Sequence, residues 1–250
     1  MRVSLFYFFL CLSFLFISCT KDKPQPLPIV SQNLKITIQP FFDTDTLFLD
    51  SVYQTQEGYS VKFTDINFFL TDIKNGDSIL NQASLYNYRD NGILLFSSLG
   101  NPMNYSNLDL LVGVDSSINH NDPSAFPNES PLNISNAGTM HWGWNPGYIF
   151  ISIEGKVDTV SNSPLVFDQS FSYHIGTDAY TENLNLTSLT WQLLNNNEYV
   201  LPLKIDLKSF LHNPNSSIDL ANEFITHTSS GQEVLSNKVL HNFKESISPM

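Results

Sequence analysis

Two histidines and a knot of sulfur-bearing and aromatic side chains carry most of the chemistry this sequence offers. Met140, His141, Trp142 and Trp144 lie within five residues and hold two of the chain's three tryptophans. His174 follows one hairpin later. Imidazole together with thioether selects copper over magnesium or calcium. Both cysteines, Cys11 and Cys19, lie in the N-terminal segment, so the rest of the chain has no thiol for a disulfide, a thiolate zinc site or a cysteine nucleophile. Read from the residues alone, the cluster stays open to other uses. A histidine in a loop is more often a surface residue or a structural hydrogen bonder than a ligand. Trp142, Trp144 and Tyr148 would serve equally as a stacking platform for sugar rings or a protein partner, or as a cap on an apolar core. His120, His212, His227 and His241 show no ligand spacing. There is no Gly-x-Ser-x-Gly, no His-Glu-x-x-His and no glycine-rich phosphate loop, so no catalytic function is expected.

The elements that must position these groups are strands. Ile149, Ile151 and Ile153 alternate with Tyr148, Phe150, Ser152 and Glu154, the period of a sheet strand, and Asn145-Pro146-Gly147 separates that strand from the aromatic cluster. In the next strand Phe167, Gln169, Phe171 and Tyr173 face one way and Asp168, Ser170, Ser172 and His174 the other. Leu34, Ile36 and Ile38 open the sheet, and Tyr59 to Ile73 continues it up to an Asn75-Gly76 hairpin turn. Leu80–Tyr88 and Ile93–Leu99 read as short strands or a helical turn. Leu108–Val114 runs into the polar loop that begins at Asp115. Tyr199–Leu207 is a strand whose Pro202 predicts an edge position. The C-terminal stripe Leu235, Val239, Leu240, Phe243, Ile247, preceded by a Ser230-to-Glu233 capping box, predicts a helix packed on the sheet. The fold class is therefore mainly β, an antiparallel, Greek-key-like β-sandwich in one domain over residues 32–250, with a C-terminal helix.

Residues 1–18 read as a signal peptide: Arg2, then an apolar run from Leu5 to Ile17 that is too short to span a membrane. Leu15-Phe16-Ile17-Ser18-Cys19 resembles a bacterial lipobox, with Cys19 as the lipidated residue. Residues 19–31, with Pro24, Pro26 and Pro28, form a tether. The expectation is an outer-membrane lipoprotein facing the periplasm or the cell surface. The net charge of −12 argues against nucleic acid as a partner.

Gly138-x-Met140-His141-Trp142-x-Trp144-Asn145-x-Gly147-Tyr148, the strand ending Glu154-Gly155, and Phe171-x-Tyr173-His174-Ile175-Gly176 together resemble the MbnP-like domain family. Phe69-Leu70-Thr71-Asp72-Ile73, Val112-Gly113-Val114-Asp115 and the final helix extend the resemblance over nearly the whole chain after the tether. Members are periplasmic copper-binding proteins linked to methanobactin systems, with lipoprotein relatives in other bacteria. The resemblance implies an extracytoplasmic β fold that binds copper for acquisition, storage or delivery. It implies His174 as the histidine ligand, and Trp142 or Trp144 as a residue oxidised to kynurenine by a partner dihaem enzyme of the MauG type. Ring opening gives an indole, which has no ligand atom, an amine nitrogen. His141 stands where some relatives carry tyrosine, and Asp115 belongs to the family's Gly-Val-Asp turn.

Overall fold

The computed structural model describes residues 31–142, 147–160 and 165–250. The signal peptide, Cys19 and the tether up to residue 30 lie outside the described residues, as do Trp144 and the Asn145-Pro146 part of the turn. The chain runs β1 (Gln32–Phe42), β2 (Ser60–Asn75), β3 (Ser78–Asn87), β4 (Leu94–Gly100), β5 (Leu108–Val112), β6 (Ile149–Asp158), β7 (Gln169–Gly176), β8 (Glu182–Leu186), β9 (Gln192–Asn195), β10 (Glu198–Asp206), α1 (Leu207–Leu211), β11 (Ile225–Thr226), α2 (Glu233–Ser246) and β12 (Ile247–Pro249). Two-residue strands and single helical turns occupy the connections.

The strands form two mixed sheets. In the first, β1 lies between β10, which runs parallel to it from Asn33↔Glu198 to Phe41↔Asp206, and the antiparallel β4. β9 and β12 pair with the other edge of β10. The second follows the order β8-β5-β2-β6-β7-β11, with β3 also paired to β2. Pairing is mostly antiparallel, as the short connections predict; the parallel exceptions are β1 with β10 and β7 with β11.

Period-2 alternation puts one face of each sheet into a common core. Leu34, Ile36 and Ile38 of β1, with Leu201, Leu203 and Ile205 of β10, meet Phe63, Ile66, Phe68, Ile151, Ile153, Phe171 and Tyr173 of the second sheet. Burying each such side chain contributes about 1.5–3 kcal/mol. α2 covers this core with Val239, Leu240 and Phe243, and the Phe243 ring meets Phe68 edge-on at 4.9 Å. A second, smaller cluster sits on the opposite face of β2 and β6. Phe69, Tyr148 and Phe150 there meet Val114, Leu132, Ala137 and Met140 of the long excursion between β5 and β6. None of the described helices is long and apolar enough to cross a membrane.

Two local expectations need correction, and one open choice is resolved. Pro202 is not on an edge strand: β10 is paired on both sides. It falls between the residues that pair with β9 and those that pair with β12, where no partner requires its absent N–H, and its carbonyl accepts the Met250 N–H. The Ser230-to-Glu233 capping box does not form. Gln232 is the N-cap residue, and its side-chain oxygen instead accepts the His227 and Ser229 N–H groups, while Glu233 reaches back to the Gly231 N–H. The Leu80–Leu99 region resolves into two strands, β3 and β4, joined by a turn of helix at Tyr88–Asn91.

Candidate metal site

β6 and β7 pair so that Ser152 lies opposite His174 and Glu154 opposite Ser172, on the face turned away from the main core. His174 Nε2 is 2.7 Å from Glu154 Oε1 and 3.2 Å from Ser172 Oγ. On the far side of β7, β11 runs parallel with Thr226 opposite Tyr173, which brings the next residue, His227, beside His174. The two imidazoles stack with centroids 4.9 Å apart and planes 13° from parallel. His227 is fixed from α2: its N–H donates to Gln232 Oε1 at 2.8 Å, and the buried hydroxyls of Thr226 and Ser236 meet at 2.6 Å.

The charges around this pair are coupled. The hydrogen bond from His174 holds the Glu154 carboxyl below its ordinary range, against the opposing effect of burial, with the charges of both histidines adding to the lowering. Burial holds His227 below its ordinary value, and repulsion from His174 adds to this. Asp65 of β2 lies opposite Glu154, and burial raises its carboxyl, with the Glu154 charge adding and the Asn67 amide partly offsetting. Asn67 is itself buried opposite Ser152, and its Oδ1 accepts no hydrogen bond.

Trp142 borders the same face. A Cβ built on Gly176 would come 2.5 Å from Trp142 Cζ3, 2.8 Å from Cη2 and 2.7 Å from the Tyr148 carbonyl, so the benzo edge of the indole rests where a side chain at 176 would stand. Gly176 is two positions beyond His174, roughly 7 Å along the strand on the same face. The Trp142 backbone N–H donates to the Gly147 carbonyl at 3.1 Å, closing the base of the aromatic loop.

The other predicted residues have different places. His141 bridges Tyr148 and sets its ring edge-on to that tyrosine at 4.8 Å, and burial lowers its pKa. Met140 is buried in the smaller cluster. Tyr148 is fully buried too, with its hydroxyl donated to the Leu132 carbonyl, and so is not available as a stacking platform. Asp115 caps the helical turn Ser116–Asn119 by accepting the Ser117 N–H at 2.8 Å, and these bonds to Ser117 keep its carboxyl below the ordinary range. His174 is thus brought together with Glu154 and His227, while Trp142 packs against Gly176 two positions along the strand. Glu154 was visible in the sequence as an outward residue of β6, whereas His227 carried no signal, because a two-residue parallel strand has no periodicity to read.

As arranged, the histidines and acidic residues do not converge on a point. His174 Nε2 is engaged by Glu154, the rings are face to face, and among the described residues no three His, Cys, Asp or Glu groups form a ligand set. Two adjacent imidazoles, with a carboxylate to orient one of them, are donors that suit zinc, copper, iron and nickel alike.

The sequence model of the MbnP family matches residues 31–231, most of the chain. The chain belongs to the MbnP family. The MbnP match includes every residue of the site, from Trp142 to His227, and stops before α2. A solved structure, MbnP from Methylosinus trichosporium, aligns with a TM-score of 0.45 at 13% identity, covering 76% of this chain and 79% of that one. No curated protein sequence matches the chain.

Proposed function

We propose that this MbnP-family protein binds copper outside the cytoplasm, for acquisition, storage or delivery, with no catalysis of its own. The observation that carries this reading is the stacked His174–His227 pair on one sheet face, beside the Trp142 indole. His174 and His227 supply imidazole nitrogen to the metal cargo. Glu154, already bound to His174 Nε2, either releases that nitrogen to copper or turns the ring to present Nδ1; in both cases it orients the ligand. A third donor fits on the Trp142 side, where oxidation to kynurenine by a MauG-type dihaem partner would create an amine. Trp142, seated on Gly176, is the candidate among the described residues, and Trp144 is the other. Lipidation at Cys19 places the protein on the outer membrane, facing the periplasm or the cell surface. The aromatic-platform reading has less support, because Tyr148 is buried and one edge of Trp142 is covered.

The test is copper(I) titration of the purified chain against a competing chelator, with His174→Ala and His227→Ala alongside His120→Ala as a control. Each of the first two is expected to weaken binding at least tenfold, and the control to leave it unchanged. Binding unaffected by both substitutions would overturn the site. Intact-mass analysis of protein from its native host checks the oxidation, and an unmodified Trp142 would remove the kynurenine donor.

A further inference from the structure

Two residues that are not candidate ligands, Asn119 and Asp178, join the aromatic loop to the end of the strand that carries His174. Asp115 caps the helical turn Ser116–Asn119, and the last residue of that turn, Asn119, is fully buried. Its carboxamide makes two bonds of opposite sense. Asn119 Oδ1 accepts the Tyr148 backbone N–H at 2.9 Å, and Asn119 Nδ2 donates to Asp178 Oδ1 at 2.9 Å. Gly147, at φ +77°, is pressed against the same residue: a Cβ there would come 2.4 Å from Asn119 Oδ1 and 2.5 Å from its carbonyl oxygen.

These contacts close a ring. Gly147 and Tyr148 form one end of the aromatic loop, and the Gly147 carbonyl accepts the Trp142 backbone N–H from the other end. The Trp142 indole lies against Gly176. Asp178 stands just beyond Gly176, in a turn closed by the Tyr180 N–H on the Thr177 carbonyl at 3.0 Å. The path from Trp142 through Gly147, Asn119, Asp178 and Gly176 therefore returns to the Trp142 ring. The contact of the indole with Gly176 is non-directional, whereas the carboxamide fixes both a distance and an angle.

The chemistry explains why an amide stands at 119. The Tyr148 N–H needs an acceptor and the Asp178 carboxylate needs a donor, and a side-chain amide presents one of each. An aspartate there would set a buried carboxylate against the first, where like charges disfavour ionisation. The other Asp178 oxygen meets His120 Nε2 at 2.9 Å, but both side chains of that pair are 42% exposed, so it contributes little. We infer that Asn119 and Asp178 are positioning residues for the metal site: their bond fixes the Trp142 loop against the strand of His174 and so sets the affinity for copper. The copper part of this inference rests on the function proposed above, and the positioning part does not.

A polarity swap tests both parts, comparing Asn119→Asp with the double variant Asn119→Asp, Asp178→Asn. In the double variant the bond runs the other way: the carboxylate at 119 still accepts the Tyr148 N–H and takes its second bond from the amide at 178. The place of the indole is read without metal, by emission and acrylamide quenching in a background of Trp144→Phe and Trp191→Phe that leaves Trp142 as the only tryptophan. Copper(I) affinity is read by chelator competition in chains that keep all three tryptophans. Asn119→Asp is expected to red-shift the Trp142 emission, expose it to acrylamide and weaken copper binding by about tenfold, and the swap to restore all three. Two independent structural losses would instead add, leaving the double variant the worse of the two. Unchanged emission in Asn119→Asp overturns the positioning, and so does a swap no better than Asn119→Asp. Emission that responds while copper affinity does not overturns the link to the metal and leaves the positioning intact. A wild-type chain that binds no copper overturns the proposed function, and the emission measurement still decides the positioning. Should Asn119→Asp fail to fold, a swap that folds supports the pairing and one that does not overturns it.

Discussion

At the scale of single residues, the site depends on side chains that constrain one another. Gly176 is the clearest case, because the Trp142 ring and the Tyr148 carbonyl occupy the space of its missing side chain. Gly176→Ala has to displace backbone as well as an indole, so it is expected to destabilise the fold by about 1–3 kcal/mol in denaturant titrations, a cost typical of overpacking. Weaker copper binding should accompany it. The polar cluster also sets a pH dependence. Glu154 titrates below its ordinary value of 4.5, so its contribution is complete above that value and is lost as pH falls through the folded-state pKa. His227, held below 6.5, acts in the same direction in a higher window: the folded protein prefers it neutral, and that preference costs stability as pH falls below 6.5. Asp65 opposes both, since its raised carboxyl favours the folded state when protonated. Thermal melts of the wild type and of Glu154→Gln and His227→Ala should separate these windows. Glu154→Gln flattens the fall below pH 4.5, and His227→Ala flattens the fall just below 6.5. Unchanged profiles would show that the cluster is not coupled to folding.

At the scale of elements, the short strand β11 and the start of α2 do more than their length suggests. Gln232 accepts the N–H groups of His227 and Ser229, and Ser236 meets Thr226 in a buried hydroxyl pair, so the helix N-terminus holds one imidazole against the other. Gln232→Ala is expected to lower copper affinity by about tenfold, a loss typical when an outer-shell partner of a metal ligand is removed. The melting temperature should change little, because the main-core contacts of α2 come from Val239, Leu240 and Phe243 further along. A chelator competition measured beside a thermal melt distinguishes this from simple destabilisation, which would move both.

At the scale of the whole molecule, the region matched to the family ends at residue 231, before the helix that covers the core. A chain truncated after 231 loses Val239, Leu240, Phe243 and Ile247 together. At about 1.5–3 kcal/mol each, that loss is comparable to the 5–15 kcal/mol stability of an ordinary domain. The truncated chain should therefore lack a cooperative thermal transition by calorimetry, and a sharp transition would show that the sandwich stands without α2.

What the sequence determined by itself is what local patterning encodes. Alternation located the strands that became β1, β2, β6 and β7 and put His174 and Glu154 on the outward side. The 3.6-residue stripe located α2, and the Met140–Trp144 motif marked the loop that borders the site. Those signals work because a strand or a helix sorts its own side chains between core and solvent. Tertiary structure alone decided which outward residues became neighbours. The bond between His174 and Glu154 depends on the register of one hairpin, and the stack with His227 depends on a two-residue parallel pairing some fifty residues downstream. The burial of Met140 and Tyr148 depends on an excursion folding back over the outer face of β2 and β6. Long-range pairings of this kind are selected by the packing of the whole core, so no short stretch of sequence carries them.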